Sequence, residues 1–195
     1  MTYKGANALE WNEAMFLVTC LMDEGRHRDA MLIAAGCYLG LRISDLLTLR
    51  WRDILATETI TIQEKKTEKK RMLRINAHLR EIAAACHDQM FIKRDDAYIF
   101  ASKINRRRPM TRQRAAQIVK GCISDHCDAK GRRFSTHTLR KTFGRRVWLR
   151  ECEKGRGEQA LLLLCDVFGH SSVSITKRYL GIRQDEILSV YDSLS

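Results

Sequence analysis

His170 and Tyr179 stand nine residues apart in a hydroxyl-rich stretch, Val167-Phe-Gly-His-Ser-Ser-Val-Ser-Ile-Thr-Lys-Arg-Tyr-Leu-Gly-Ile182. An imidazole can accept or donate a proton, and a phenol is a latent oxygen nucleophile. On an unbroken helix the two would lie about 13 Å apart on opposite sides of the axis. They can serve one site only where the chain bends between them. Gly169 supplies a helix C-cap at that point, and Ser171 or Ser172 can cap a following helix that returns Tyr179 toward the same cavity. Upstream, His137 and Arg140 in Thr-His-Thr-Leu-Arg-Lys-Thr-Phe (136–143) are spaced i, i+3, which sets both on one helix face near its N-terminus. Free N–H groups and the helix dipole favour an anion there, so the pair suits a phosphate. Arg42 follows Gly40-Leu41 at the entrance of another helix, where a long side chain can reach away from the core. Taken singly, each residue has a plain structural alternative: a packed Tyr179 ring, a His170 that only caps, a surface His137 beside a solvated Arg140.

The elements that must position these residues follow from hydrophobic periodicity. Residues 11–22 and 27–38 read as amphipathic helices divided by the polar Asp-Glu-Gly-Arg turn at 23–26, and Ile43 to Leu49 reads as a third, with Leu46, Leu47 and Leu49 turned inward. Alternation over Thr57 to Gln63 and again over Arg71 to Ile75 predicts a hairpin whose tip, Glu-Lys-Lys-Thr-Glu-Lys-Lys, is strongly cationic. Helices are expected over Ala77 to Met90, from a Thr111 cap to about Cys127, from a Thr136 cap through Cys152, and over Glu158 to Phe168. Arg183 to Leu194 reads as an amphipathic tail. The expected fold is mainly α, in the α+β class, with one small antiparallel sheet. No stretch reads as an interdomain linker, so a single domain over 1–195 is expected.

Composition narrows the class of protein. The chain has 195 residues, of which 45% are apolar and 30% charged, with one Pro. That argues for a substantial core and against disorder. No apolar run approaches the roughly 18 residues of a membrane span, and the N-terminus has no secretory h-region. The seven cysteines, Cys20, Cys37, Cys86, Cys122, Cys127, Cys152 and Cys165, lie mostly within helical apolar patterns and suit a reducing cytoplasm. Cys122, His126 and Cys127 resemble a metal cluster but lack a second half at zinc-ligand spacing, so no metal is expected. Formal charge is +12, and residues 101–150 hold 15 Lys and Arg against 2 Asp, a net of +13 that leaves −1 for the rest. So concentrated an excess is the footprint of a phosphate-backbone binder, where solubility alone would spread it.

Three motifs occur in order: Leu-Gly-Leu-Arg-Ile-Ser-Asp-Leu-Leu-Thr-Leu-Arg-Trp-Arg-Asp-Ile (39–54), His-Thr-Leu-Arg-Lys-Thr-Phe (137–143) and Phe-Gly-His-Ser-Ser-Val-Ser-Ile-Thr-Lys-Arg-Tyr-Leu (168–180). Together they resemble the tyrosine recombinase, or phage integrase, family over essentially the whole chain, as that family's helical catalytic domain. The resemblance implies a site-specific recombinase that cuts and rejoins double-stranded DNA through a 3′-phosphotyrosyl link, with no metal, ATP or other cofactor, as a homo-oligomer, a tetramer, on its DNA. It also implies roles. Arg42 and Arg140 are the arginines that grip the phosphate, with Asp45 as a buried support. His137 is the His of the His-x-x-Arg pair and a candidate general base, and His170 is the Gly-His donor. Tyr179 is the nucleophile. The family's hairpin Lys, a candidate general acid, is matched best by Lys66, ahead of its neighbours Lys65, Lys69 and Lys70.

The chain departs from the family in one respect: Arg42 lies close to the start, so no separate N-terminal core-binding domain is expected, and the length is like that of the short fimbrial-switch recombinases, although a fragment of a longer integrase would look identical. Residues 183–195 correspond to the segment that related proteins pass to a neighbouring protomer as an exchange helix, and their apolar stripe serves docking in trans or in cis. Two rival readings use the same residues: a topoisomerase IB-like nicking and closing enzyme, and a DNA-binding regulator without catalysis.

Overall fold

Residue types at the boundaries set the elements. The computed structural model describes residues 5–65, 68, 70–90 and 94–182. In chain order these residues form α1 (Trp11–Asp23), α2 (His27–Leu39), α3 (Ile43–Leu46), α4 (Trp51–Leu55), β1 (Thr59–Gln63), β2 (Lys70–Arg74), α5 (Ala77–Asp88), α6 (Arg112–His126), α7 (Thr136–Cys152), α8 (Gly157–Phe168) and α9 (Val173–Leu180). The mainly helical class with a small antiparallel sheet is the one expected. The amphipathic tail expected at 183–194 lies outside the described residues.

Helix α2 is the axis of the molecule. From Ala30 to Cys37 every residue is buried, and the helix packs against α1, α5, α6 and α7. A helix apolar on all sides must be surrounded, and Ala, Gly and Cys keep its neighbours close. It ends at Gly40, whose φ of 58° is left-handed, and a side chain there would overlap the ring of Phe143 on α7. That close approach brings the turn holding Arg42 against α7, which carries His137 and Arg140. A second, smaller apolar cluster joins Leu161, Leu164 and Phe168 of α8 to Leu180 and Ile182, with Phe143, Val147, Trp148 and Tyr179 packed on it.

The strands pair antiparallel with Ile60 opposite Leu73 and Ile62 opposite Arg71. Ile60 and Leu73 are buried, Ile62 and Arg71 half-buried, and the alternate residues Thr59, Thr61, Gln63, Lys70, Met72 and Arg74 exposed. Period-two alternation therefore turns Arg71 inward.

Two boundaries differ from expectation for identifiable reasons. The helix expected over Ile43 to Leu49 stops at Leu46. The Thr48 hydroxyl donates to the Asp45 carbonyl at 2.7 Å, and the Leu49 carbonyl accepts from Ile99 N–H at 3.0 Å, so a contact with a distant extended segment takes over the backbone. Leu46, Leu47 and Leu49 remain buried, and α4 forms beyond them. Ser135, not Thr136, caps α7: its hydroxyl accepts from His137 N–H at 3.2 Å, and Thr138 completes a capping box.

Candidate active site

Arg140 sits on the buried side of α7 with 4% of its surface exposed. A guanidinium so placed must have its donors satisfied. Nη1 donates to the Gly40 carbonyl, and Nη2 donates to Phe168 O at 3.2 Å and Val167 O at 3.5 Å. Arg42 donates from Nη2 to the same Phe168 O, at 3.1 Å, and from Nη1 to Glu64 Oε2 at 2.7 Å. A third guanidinium, Arg71 of β2, donates to Val167 O at 2.7 Å. These acceptors are the last carbonyls of α8. Gly169, with φ of 63°, caps that helix in the left-handed conformation, with its N–H bonded to Asp166 O. Val167 O and Phe168 O are thus free of helical partners, at the negative end of the dipole, and three arginines converge on them. The Gly-His turn consequently does more than aim His170.

Burial, chiefly, pulls the Arg140 guanidinium down to about 10, with Arg42 and Arg71 adding repulsion, and it remains protonated at neutral pH. The ring of Phe168 lies under Arg140 at 4.4 Å from its centroid, and the same ring contacts His170 and Tyr179, each at 5.4 Å. This aromatic ring links the Arg140 guanidinium to His170 and Tyr179.

The bend at 169–172 brings His170 and Tyr179 together, their ring centroids 5.1 Å apart. Ser172, of the two serines considered, caps α9 by accepting from Ile175 N–H at 3.3 Å. His170 Nδ1 meets the hydroxyl of buried Thr176 at 3.0 Å, which leaves Nε2 for another partner. Tyr179 Oη lies 3.4 Å from His137 Nδ1. Desolvation first, then the charges of Arg140, Lys141 and Arg42, hold His137 below its usual 6.5, although the residue is exposed. Desolvation, followed by Arg140 and Arg42, lowers His170 as well. Both imidazoles are therefore neutral at pH 7, and a neutral His137 can accept the phenol's proton.

Arg42, Ser44, Lys65, Thr111, His137 and Arg140 line a cleft of about 810 Å³. A larger cavity, of about 1090 Å³, lies elsewhere, beside Arg50, Trp51, Arg106 and Arg107, and contains none of the six residues singled out. Five of those six, Arg42, His137, Arg140, His170 and Tyr179, are joined by direct contacts or shared partners. Lys66 lies outside the described residues. Asp45 is buried, and its Oδ1 accepts from Lys65 N–H at 3.1 Å, tying the Arg42 turn to the start of the hairpin tip.

Sequence reasoning missed Glu64, Arg71, Thr176 and Lys141. Lys141 is 3% exposed, its Nζ lies 5.1 Å from the Tyr179 ring centroid, and burial with help from Arg145 brings it down to about 8. Its i, i+4 spacing from His137 was the available signal. The metal-like trio is otherwise engaged: His126 bonds Glu24 Oε1 at 2.6 Å and the Cys122 carbonyl at 2.9 Å, and burial pushes the Cys122 and Cys127 thiols up to about 11.

The phage integrase family model matches residues 10–186. The chain belongs to that family and carries the catalytic domain of a tyrosine recombinase. Among individual proteins, it is similar to the probable integrase/recombinase YoeC of Bacillus subtilis (strain 168), 32% identical over 164 residues that make up 84% of this chain and 83% of YoeC. Tyrosine recombinase XerC of Xanthomonas axonopodis pv. citri (strain 306) is 27% identical over 195 residues, covering 95% of this chain and 57% of XerC. The crystal structure of XerA recombinase shares the fold, with a TM-score of 0.66 at 20% identity over 95% of this chain and 64% of XerA. The chain thus spans only part of the length of XerC and XerA.

Proposed function

We propose that the protein cuts and rejoins double-stranded DNA at specific sites, with Tyr179 as the nucleophile. The observation that carries this reading is the phenol of Tyr179 within 3.4 Å of a neutral His137, beside the two guanidiniums that share Phe168 O. A phenol of pKa about 10 is ionised to only about one part in a thousand at neutral pH, so its proton must be taken during attack. His137 takes it. The Tyr179 oxygen bonds to phosphorus, the bond to the 5′-oxygen breaks, and the products are a 3′-phosphotyrosyl ester and a 5′-hydroxyl. Lys66 of the hairpin protonates the leaving oxygen. Attack by a 5′-hydroxyl on the ester reverses each step and frees Tyr179, so bond energy is retained and no external energy source is used.

Arg42 and Arg140 grip the non-bridging oxygens as charge gathers on them, and His170 adds a hydrogen bond. Planar forks fixed by α8 carbonyls suit that task because their orientation is set before substrate arrives. The basic segment 101–150 supplies attraction to the DNA backbone. We infer a homo-oligomer, a tetramer, on the DNA, and a cytoplasmic location with the substrate. Among the described residues no helix is long and apolar enough to cross a membrane.

Tyr179→Phe keeps the ring packing and removes the nucleophile. It is expected to bind site DNA and form no SDS-resistant adduct on a nicked duplex. An adduct from this variant would refute the assignment. Supercoil relaxation by the wild-type protein without strand exchange would favour a nicking-closing enzyme, and the absence of any wild-type adduct a non-catalytic regulator.

A further inference from the structure

Glu64 is a carboxylate in a site built for a phosphate. It follows β1 directly, its side chain is 9% exposed, and Oε2 accepts from Arg42 Nη1 at 2.7 Å. A fixed negative charge in so dry a position opposes an incoming phosphodiester. Its presence therefore calls for a role in the reaction.

The two phosphate-gripping arginines are held differently. Arg140 is fixed by backbone carbonyls of Gly40, Val167 and Phe168. Arg42 is held by Phe168 O on one arm and by Glu64 on the other, with 21% of its side chain exposed. A guanidinium has five N–H donors, so these contacts orient the fork and leave the others for substrate. Arg71, inward-facing on β2, stands 3.8 Å from Glu64 Oε1 and donates to Val167 O at 2.7 Å. The end of β1 and the start of β2 are thereby both tied to the C-terminal end of α8.

We propose that Glu64 is a positioning residue for DNA cleavage: its carboxylate, backed by Arg71, holds Arg42 in the orientation that receives the scissile phosphate, so that the grip of Arg42 depends on the hairpin being seated. This rests on the reading of Arg42 as a phosphate ligand. Arg140 needs no such help, because its acceptors belong to the backbone of α2's cap and α8. Glu64 acts through Arg42 and touches no reacting atom.

The test is single-turnover cleavage of a labelled nicked duplex by Glu64→Ala, Glu64→Asp, Arg42→Ala and the double variant. Glu64→Ala is expected to lower the rate roughly tenfold to a hundredfold without weakening DNA binding, and Glu64→Asp to recover part of it. Because the two residues act as one unit, Glu64→Ala adds nothing in the Arg42→Ala background. A multiplicative loss in the double variant, or a Glu64→Ala rate equal to or above wild type, overturns the proposal. If Arg42→Ala itself cleaves normally, the reading of Arg42 falls and the inference with it; if only the Glu64 result fails, the reading of Arg42 stands. Where the double variant cleaves below detection, side-chain NMR of the DNA-free protein decides. Distinct Arg42 Nη resonances that average together in Glu64→Ala support the proposal, and an unchanged spectrum overturns it.

Discussion

The half of the site proposed to grip phosphate and the half that carries the proposed nucleophile rest on unequal foundations. Arg140 projects from α7, which packs directly on α2, buried from Ala30 to Cys37, and Arg42 follows α2's own C-cap. Tyr179 lies on α9, a helix of eight residues whose apolar support is the small cluster of Leu161, Leu164, Phe168, Leu180 and Ile182. A helix that short has little stability of its own and depends on that packing. Local opening takes the least-packed unit first. On that ground Tyr179 is expected to be displaced more readily than the guanidiniums. Phe168 is the joint, since its carbonyl holds Arg42 and Arg140 while its ring touches Tyr179.

The largest expected effect lies on the gripping side. Arg140→Ala removes a proposed phosphate ligand and leaves the Gly40 carbonyl without its guanidinium donor, so cleavage should fall at least about a hundredfold and the melting temperature should drop. Arg140→Lys keeps a charge but loses the fork, and single-turnover rates should show little recovery. Near-normal cleavage by either variant would remove Arg140 from the grip.

Next come paired core truncations that test the comparison itself. Ile33 is wholly buried in α2, and Ile33→Ala should cost about 2–5 kcal/mol in denaturant unfolding. Leu164 is 1% exposed in the small cluster. Leu164→Ala should cost less, because a small peripheral cluster collapses around the gap more readily, yet it should slow adduct formation while leaving DNA affinity intact. Equal unfolding costs and equal losses of cleavage for the two variants would show one cooperative unit, with no separable nucleophile half.

What the sequence made legible in this site divides along the same line. The bend at Gly169 could be read because a Gly that ends an apolar helical run shortly before two serines has few conformational uses, and Ser172 does cap α9. His137 and Arg140 could be placed on one face by spacing alone. The acceptors of the arginines could not: Arg42 and Phe168 are 126 residues apart, and a backbone carbonyl has no residue-type signal. Arg71 was legible only as the start of the second strand; its contact with Val167 O, 96 residues away, has no local signal. Glu64 was legible only as part of the hairpin tip, because its partner Arg42 lies 22 residues away. The early end of α3 depended on residues 97–99, which no local window contains.

The pH dependence separates the halves further. His137 titrates below its usual 6.5, and only its neutral form can accept the phenol's proton. Adduct formation should therefore be near its plateau at neutral pH and fall toward tenfold per unit below the lowered pKa. His137→Gln should lower the plateau and abolish that acid limb, whereas Arg140→Lys should lower the plateau and keep it. A limb centred above 6.5, or one that survives in His137→Gln, would assign the proton to another group.

The smallest effect is at the Ser172 cap. Its hydroxyl satisfies Ile175 N–H at the start of α9, and Ser172→Ala should cost about 1 kcal/mol locally. In a helix tied into the main core, a loss of that size would be shared by the whole fold and barely alter the chemistry. In α9 it should appear as faster hydrogen exchange of residues 173–180 alone, with a few-fold slower adduct formation and unchanged affinity for site DNA. Protection lost equally in α7 would mean that Tyr179 rides on the same cooperative unit as Arg140. The nucleophile could then not be withdrawn without dismantling the phosphate grip.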